Sequence, residues 1–331
     1  MSLPPPKPGQ TYVTVSAIQA GQITAPVWSF METEDRDAKM VLPCLAFLIT
    51  HPHARLSDAE QPASSTEPKP ARILFDLGLR EGPQDYTPGQ QAHLQHRHPV
   101  TFGPSVAKTL AAVGLTSSDV GTVIFSHVHW DHTGDPRDFG KATFVIGHGS
   151  SALLEQGEIP GAGSHACFDR TLLANHKVVE LPPLDITNES HVDRHSSGGM
   201  EGVAPRPLGP FPAALDIFQD GSVYVIPSPG HLAGHVNLLC RTGDKRWVYL
   251  GGDTYHDVRL LTGEKKIATW TDDHGHHLCV HTDREAAEAM FTKLRALQAG
   301  AKQDGAEVEI IVSHDARWCE GNQHRLFPVN L

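Results

Sequence analysis

Several things are scarce in this chain of 331 residues. Its five cysteines, Cys44, Cys167, Cys240, Cys279 and Cys319, are scattered, odd in number and without a Cys-x-x-Cys pair. That spacing excludes a disulfide framework and reads as reduced thiols in the cytoplasm. No apolar run approaches a membrane span, and the N-terminal Met1–Pro8 lacks the apolar centre of a signal peptide. Positive charge is short, with 27 Lys and Arg against 38 Asp and Glu and a formal net charge of -11. Such a balance argues against a surface that tracks nucleic-acid phosphates. No Gly-x-Ser-x-Gly elbow marks a serine nucleophile. What is present is 39% hydrophobic residues, enough for a sizeable core. Length alone suggests about two domains, although a large α/β unit can fill it as one.

Against this background one stretch stands out: Phe125-Ser126-His127-Val128-His129-Trp130-Asp131-His132-Thr133-Gly134-Asp135. It follows the apolar run Val123–Phe125, which reads as a strand opening into a loop. Imidazole and carboxylate are the ligands that borderline divalent cations prefer, above all zinc. His-x-His sends two side chains to one side of an extended backbone, and Asp-His follows as the chain turns. One metal cannot easily use all four groups and keep an open position. Two adjacent metals can.

Further ligand candidates recur in the same setting. His231 lies in Ile226-Pro227-Ser228-Pro229-Gly230-His231-Leu232-Ala233-Gly234-His235, after the alternating run Ser222–Ile226. Asp253 ends Trp247-Val248-Tyr249-Leu250-Gly251-Gly252-Asp253, and His314 follows Val308–Val312 in Ser313-His314-Asp315. Each sits just past a strand end, where a rigid scaffold holds functional loops.

This pattern resembles the metallo-β-lactamase superfamily: His-x-His-x-Asp-His, then a His, an Asp and a final His, spread from about Tyr12 to His314. Within it, Pro229–His235 and Ser313–Asp315 look most like the N-acyl-homoserine lactone lactonase branch. The resemblance implies an αββα sandwich, two mixed β-sheets flanked by helices, as a single domain over 1–331. It implies that His127, His129 and His231 bind one metal, that Asp131, His132 and His314 bind the other, and that Asp253 bridges them. Asp76, in Ile73-Leu74-Phe75-Asp76-Leu77-Gly78, matches the strand-end Asp-x-Gly that supports a metal-bound His in that family. Lactonases of this branch carry a Tyr shortly after the bridging Asp. Here Tyr255 stands two residues after Asp253 and His256 three, one short of the expected spacing, so Tyr255 is the catalytic candidate and His256 its alternative. Trp130 is expected to form part of the pocket wall.

Periodicity gives two β-rich halves, each followed by helices. Strands are expected at Tyr12–Ile18, Val27–Met31, Leu42–Thr50, Arg72–Leu77, Thr122–Phe125 and Thr143–Ile146. The second half adds Leu215–Phe218, Val223–Ile226, Val236–Cys240, Trp247–Leu250 and Val308–Val312. Helices are expected at about Pro104–Val113, Ser150–Gln156 and Asp283–Ala299. The last opens with a capping box, Thr282-Asp283-Arg284-Glu285, and carries Ala286, Met290, Leu294 and Leu297 on one stripe. Three stretches read as loop insertions, near 51–70, 182–212 and 255–282. The last contains His274, His276, His277 and His281, read as a solvated loop in preference to a third metal site.

The expected chemistry follows from two divalent ions per chain, most naturally Zn2+, with manganese, iron or cobalt accommodated by the same donors. A water between two cations loses a proton near neutral pH and can attack a carbonyl carbon. Asp131 can carry a proton to the leaving group. The reading is a hydrolase that opens a lactone. A lactam or cyclic carbamate hydrolase is the alternative, and a thioesterase of the glyoxalase II type comes third, since no basic cluster for a glutathione or CoA anion is apparent. A tRNA-processing nuclease would want a basic arm, a flavodiiron enzyme an added flavin domain, and a non-catalytic relative would be expected to have lost ligands. The expected partner is a small molecule, without nucleic acid or membrane, and a homodimer is compatible.

Overall fold

The computed structural model describes residues 2–53, 70–184 and 203–331. Two six-stranded sheets dominate it. In the first, β1 (Thr14–Pro26), β2 (Lys39–His51), β3 (Ala71–Phe75), β4 (Thr122–Ile124), β5 (Thr143–Ile146) and β6 (Lys177–Glu180) lie side by side in that order. The β1–β2 and β2–β3 pairs are antiparallel, and β3 to β6 run parallel. The second half supplies β7 (Arg206–Leu208), β8 (Phe211–Asp216), β9 (Val223–Pro227), β10 (Val236–Gly243) and β11 (Arg246–Leu250). A small ribbon, β12 (Thr269–Thr271) with β13 (His277–Cys279), precedes β14 (Glu307–Ile311). The second sheet runs β14-β11-β10-β9-β8-β7, with only β14 parallel to its neighbour. Among the described residues six α-helices accompany the strands: α1 (Pro88–Leu94), α2 (Val106–Ala111), α3 (Ser150–Gln156), α4 (Val258–Thr262), α5 (Arg284–Gln303) and α6 (Ala316–Gly321).

Side-chain alternation explains the layering. In β5, Val145 packs in a cluster with Phe47, Phe75, Ile124, Val225, Leu238 and Val248, which joins the two sheets face to face. Its neighbours Phe144 and Ile146 turn the other way, onto Val106 and Leu110 of α2 and Leu154 of α3. In β11, Val248 and Leu250 enter the inter-sheet cluster, while Trp247 and Tyr249 face Met290, Phe291, Leu294 and Leu297 of α5. Each sheet is thus apolar on both faces, one against its partner and one against helices. The order is helix, sheet, sheet, helix, the αββα sandwich expected.

Several elements differ from the sequence reading. Val27–Ser29 is a 3-10 turn and not a strand: β1 runs to Pro26, the Val27 amide makes a last bond to the Ala38 carbonyl, and the Phe30 and Met31 amides then turn back to the Val27 carbonyl. The strand expected at Leu215–Phe218 lies earlier, at Phe211–Asp216, and β7 falls inside the stretch 182–212 read as an insertion. The rest of that insertion, 185–202, and residues 54–69 of the first lie outside the described residues. Helix α5 is capped by Asp283, whose side chain accepts from the Ala286 amide, while the Thr282 hydroxyl turns to the Gly230 carbonyl. All five cysteines are free. Among the described residues no helix is long and apolar enough to cross a membrane.

Candidate active site

Strand ends deliver the cluster. Asp76 follows β3, the His127–Asp135 loop follows β4, His231 follows β9, Asp253 follows β11 and His314 follows β14. Main-chain bonds clamp these loops together: Leu77 donates to the His132 carbonyl at 2.7 Å, Val236 to Ser126 at 2.8 Å and Ser313 to Gly252 at 2.9 Å. Gly252 has φ +47, and a Cβ there would lie 2.7 Å from the Cβ of Ser126, so only glycine lets β11 turn in beside the loop.

The geometry splits around Asp253. On one side His127 Nε2 and His231 Nε2 stand 2.8 and 3.1 Å from His129 Nδ1. Asp253 Oδ2 lies 3.4 Å from His231 Nε2 and 3.9 Å from His127 Nε2. On the other side Oδ1 lies 3.1 Å from His132 Nε2 and 3.4 Å from His314 Nε2. Asp131 Oδ2 is 3.5 Å from His314 Nε2. The structure therefore brings together all seven ligand candidates named from the sequence, all buried. Cys44 joins Asp131 and His314 in the same group, a buried β2 thiol that no motif announced.

This donor set fits metal ions. His129 Nδ1 faces two imidazole nitrogens at once and can share a proton with only one of them, whereas three lone pairs converging on a cation are satisfied together. His132 Nε2 and Asp253 Oδ1, both buried, have no hydrogen-bond partner despite their proximity. Burial also drives the pKa values of His127, His129 and His231 well below the ordinary imidazole range, leaving the neutral, ligating form. For Asp253 burial favours the acid, but the His132, His314 and His256 side chains outweigh it and keep a carboxylate. Asp131 is held below the usual range in the same way, against burial, by the His314 hydrogen bond and by His132.

Outer contacts fix which nitrogen of each imidazole looks inward. His132 Nδ1 is 2.9 Å from Asp76 Oδ2, and His314 Nδ1 is 2.7 Å from the Pro43 carbonyl. Both partners accept, so Nδ1 carries a proton and Nε2 is the ligating atom. Burial opposes a second proton there, but the Asp253 carboxylate, with Asp76 beside His132 and Asp131 beside His314, raises both pKa values well above the ordinary range. An ion binding at Nε2 would displace that proton. Asp76 is itself anchored, its Oδ1 accepting the Ser126 amide at 2.7 Å and its Oδ2 the Ser126 hydroxyl at 2.8 Å. His129 Nε2 meets His165 Nδ1 at 3.0 Å, an imidazole in the place usually taken by a carboxylate or carbonyl. His235 Nε2 accepts the Asp253 amide at 3.0 Å, and burial lowers its pKa to about 3, so it serves as a neutral acceptor. His165 stands alone in a glycine-rich turn, Gly161–His165, with no strand or motif to flag it.

Tyr255 departs from the expectation for a catalytic residue. Its ring packs edge-on to Phe291 of α5 within the core, because the chain turns after Asp253 through the Thr254 to Gly251 bond. His256, also buried, takes the cavity side of that turn instead, its Nε2 lying 3.2 Å from Asp253 Oδ2. A narrow cavity of about 50 Å³ opens over the cluster, lined by Phe30, Leu42, Trp130, His256, Val280 and Arg97 among others. Trp130 thus is a wall residue, and 255–282 contributes His256 and Val280 to the pocket. In the same stretch His274, His276 and His277 are exposed, and no metal-ligating group forms there among the described residues.

The gamma-lactamase MBL2 of Gibberella moniliformis is 30% identical over 198 residues, 56% of this chain and 70% of that protein. The gamma-lactamase FDB1 of Fusarium pseudograminearum is 29% identical over 249 residues, 73% of this chain and 51% of that protein. The chain spans about half or less of several curated relatives it matches. No family model matches it. A solved N-acyl homoserine lactone hydrolase, with N-hexanoyl-L-homoserine at its catalytic metal center, shares the fold at TM-score 0.61 and 16% identity over 100% of both chains. With these relatives and this clustered His-x-His-x-Asp-His site, the chain belongs to the metallo-β-lactamase superfamily of metal-dependent hydrolases.

Proposed function

We propose that residues 1–331 act as one hydrolase holding two divalent ions, zinc by preference, that opens a small cyclic ester. The observation that carries this reading is the division of Asp253, whose two oxygens face two separate groups of imidazoles. His127, His129 and His231 with Asp253 Oδ2 would hold one ion. Asp131, His132 and His314 with Asp253 Oδ1 would hold the other. Bound there, the ions supply a water acidic enough to attack near neutral pH and a Lewis acid for the carbonyl.

The chain's own groups do the rest. Asp131, ionised and lining the cavity, can take a proton from the attacking water and pass it to the leaving oxygen. His256 faces the same cavity and can donate to the substrate carbonyl or the leaving group. Phe30, Leu42, Trp130 and Val280 exclude water, which strengthens every charge interaction inside. The cavity favours a compact ring, whose leaving group stays tethered to the product, over a thioester with a large leaving group.

A cyclic amide is the second reading, favoured by the gamma-lactamase names of two relatives. The test is one panel on the zinc-loaded protein: acyl-homoserine lactones, an aromatic lactone, a fused-ring lactam, and glutathione and CoA thioesters. Ring substrates should turn over with the higher kcat/KM. Thioesters favoured by more than about a hundredfold, nearly 3 kcal/mol in transition-state binding, would overturn the proposal.

A further inference from the structure

The wall of the candidate site contains a cation without an anion. Arg97, in the turn after α1, lines the same cavity as His129, His231, Asp253 and His314. Its Nη1 donates to the His96 carbonyl at 3.3 Å and its Nη2 to the Ser164 hydroxyl at 3.2 Å. A guanidinium has five N–H donors in a planar fork, so most of them, Nε–H included, are left open. Among the described residues no carboxylate pairs with Arg97, whereas the half-buried Arg259, Arg284 and Arg325 each hold one; half-buried Arg72 and buried Arg241 also lack one, but neither lines the cavity. A partly buried, unpaired charge is costly to keep, so a group that supplies the missing anion gains from desolvation already completed.

Charge bookkeeping around the cavity points the same way. The carboxylate that acts on Arg97 is Asp131, a candidate metal ligand. Two divalent ions would bring four positive charges against the three carboxylates of Asp131, Asp253 and Asp76, the last bonded to His132. Adding Arg97 leaves the pocket positive, even with a hydroxide present. Most of its other walls, such as Ile23, Leu42, Phe30 and Val280, are apolar, and the polar Ser29 and His93 offer no competing anion. Ser164 belongs to the turn whose next residue, His165, meets His129. Arg97 is therefore fixed relative to the cluster.

Building on the ring-opening reading, we propose that Arg97 and Ser164 form a carboxylate-binding subsite, and that the preferred substrate is a small cyclic ester or amide bearing a carboxylate. The guanidinium fork suits a planar carboxylate through paired N–H donors, and Ser164 holds its plane. Apolar walls take the ring, and the hydrolysable bond reaches the imidazole–Asp253 cluster.

The experiment compares a five-membered lactone carrying a ring carboxylate with its methyl ester. Both are assayed on the zinc-loaded protein and its Arg97→Gln and Arg97→Lys variants. Wild type should prefer the carboxylate by about ten- to a hundredfold in kcat/KM, mostly through KM. In Arg97→Gln that ratio should fall to near one, and Arg97→Lys should restore part of it. Calorimetry with the same carboxylate lactone on metal-free protein provides a second readout, in which Arg97→Gln should bind about tenfold more weakly or worse. A wild-type ratio near one with both lactones turned over overturns the subsite and leaves the hydrolase reading standing. Absence of turnover on any ring overturns the hydrolase reading. In that case the subsite stands or falls on calorimetry alone, and equal affinity in wild type and Arg97→Gln overturns it.

Discussion

Asp76→Asn isolates the part of the site that works through a proton's position. The Asp76 carboxylate touches Ser126 twice and His132 once, all within 2.9 Å, and it is fully buried. Asparagine has nearly the same shape but only one acceptor oxygen. The Ser126 amide must keep that oxygen, since it can only donate. The new NH2 group then faces His132 Nδ1 and can donate only to a lone pair, which moves the imidazole proton to Nε2, the atom turned toward Asp253. A protonated Nε2 cannot ligate. Outer-shell changes of this kind typically weaken metal retention by about ten- to a hundredfold, or about 1.4–2.7 kcal/mol. The assay is a competitive chelator titration followed by elemental analysis, with the melting temperature measured on metal-free protein as a control for folding. The loss should fall on one of two ions. Retention of both within about twofold of wild type would refute the tautomer argument.

Other substitutions separate the remaining roles. Asp253→Ala removes a donor from both halves of the cluster, so elemental analysis should show loss of both ions, and two retained ions would rule out a bridging role. His165→Phe should weaken retention at the His127–His129–His231 group by about ten- to a hundredfold, read by the same titration, since His129 loses the partner that orients it. Tyr255→Phe should leave turnover within about twofold, while His256→Ala should lower it by about a hundredfold if it acts on the proton in flight. The reverse ranking would return the catalytic role to Tyr255.

The site was legible in the sequence wherever a ligand followed an apolar strand. Ile124, Pro227, Leu250 and Ile311 each end a strand within a few residues of a ligand candidate, so hydrophobic pattern and chemistry marked the same places. Legibility failed where tertiary contacts choose the direction of a side chain. Nothing local shows that the turn after Asp253 sends Tyr255 to Phe291 and His256 to the cavity. His165, Cys44 and Arg97 come from a glycine-rich turn, a strand and a short helical turn far apart in sequence, and only the fold brings them to the cluster. Val27–Ser29 looks strand-like in sequence through Val27 and Trp28, and only the return of the Phe30 and Met31 amides to the Val27 carbonyl makes it a turn.

Counting metal ions on protein purified without chelators tests the central claim most directly. The division of Asp253 between two imidazole groups predicts close to two ions per chain, with lactone hydrolysis lost on chelation and regained on adding zinc. One ion or none, with no activity regained by adding metal, would contradict it.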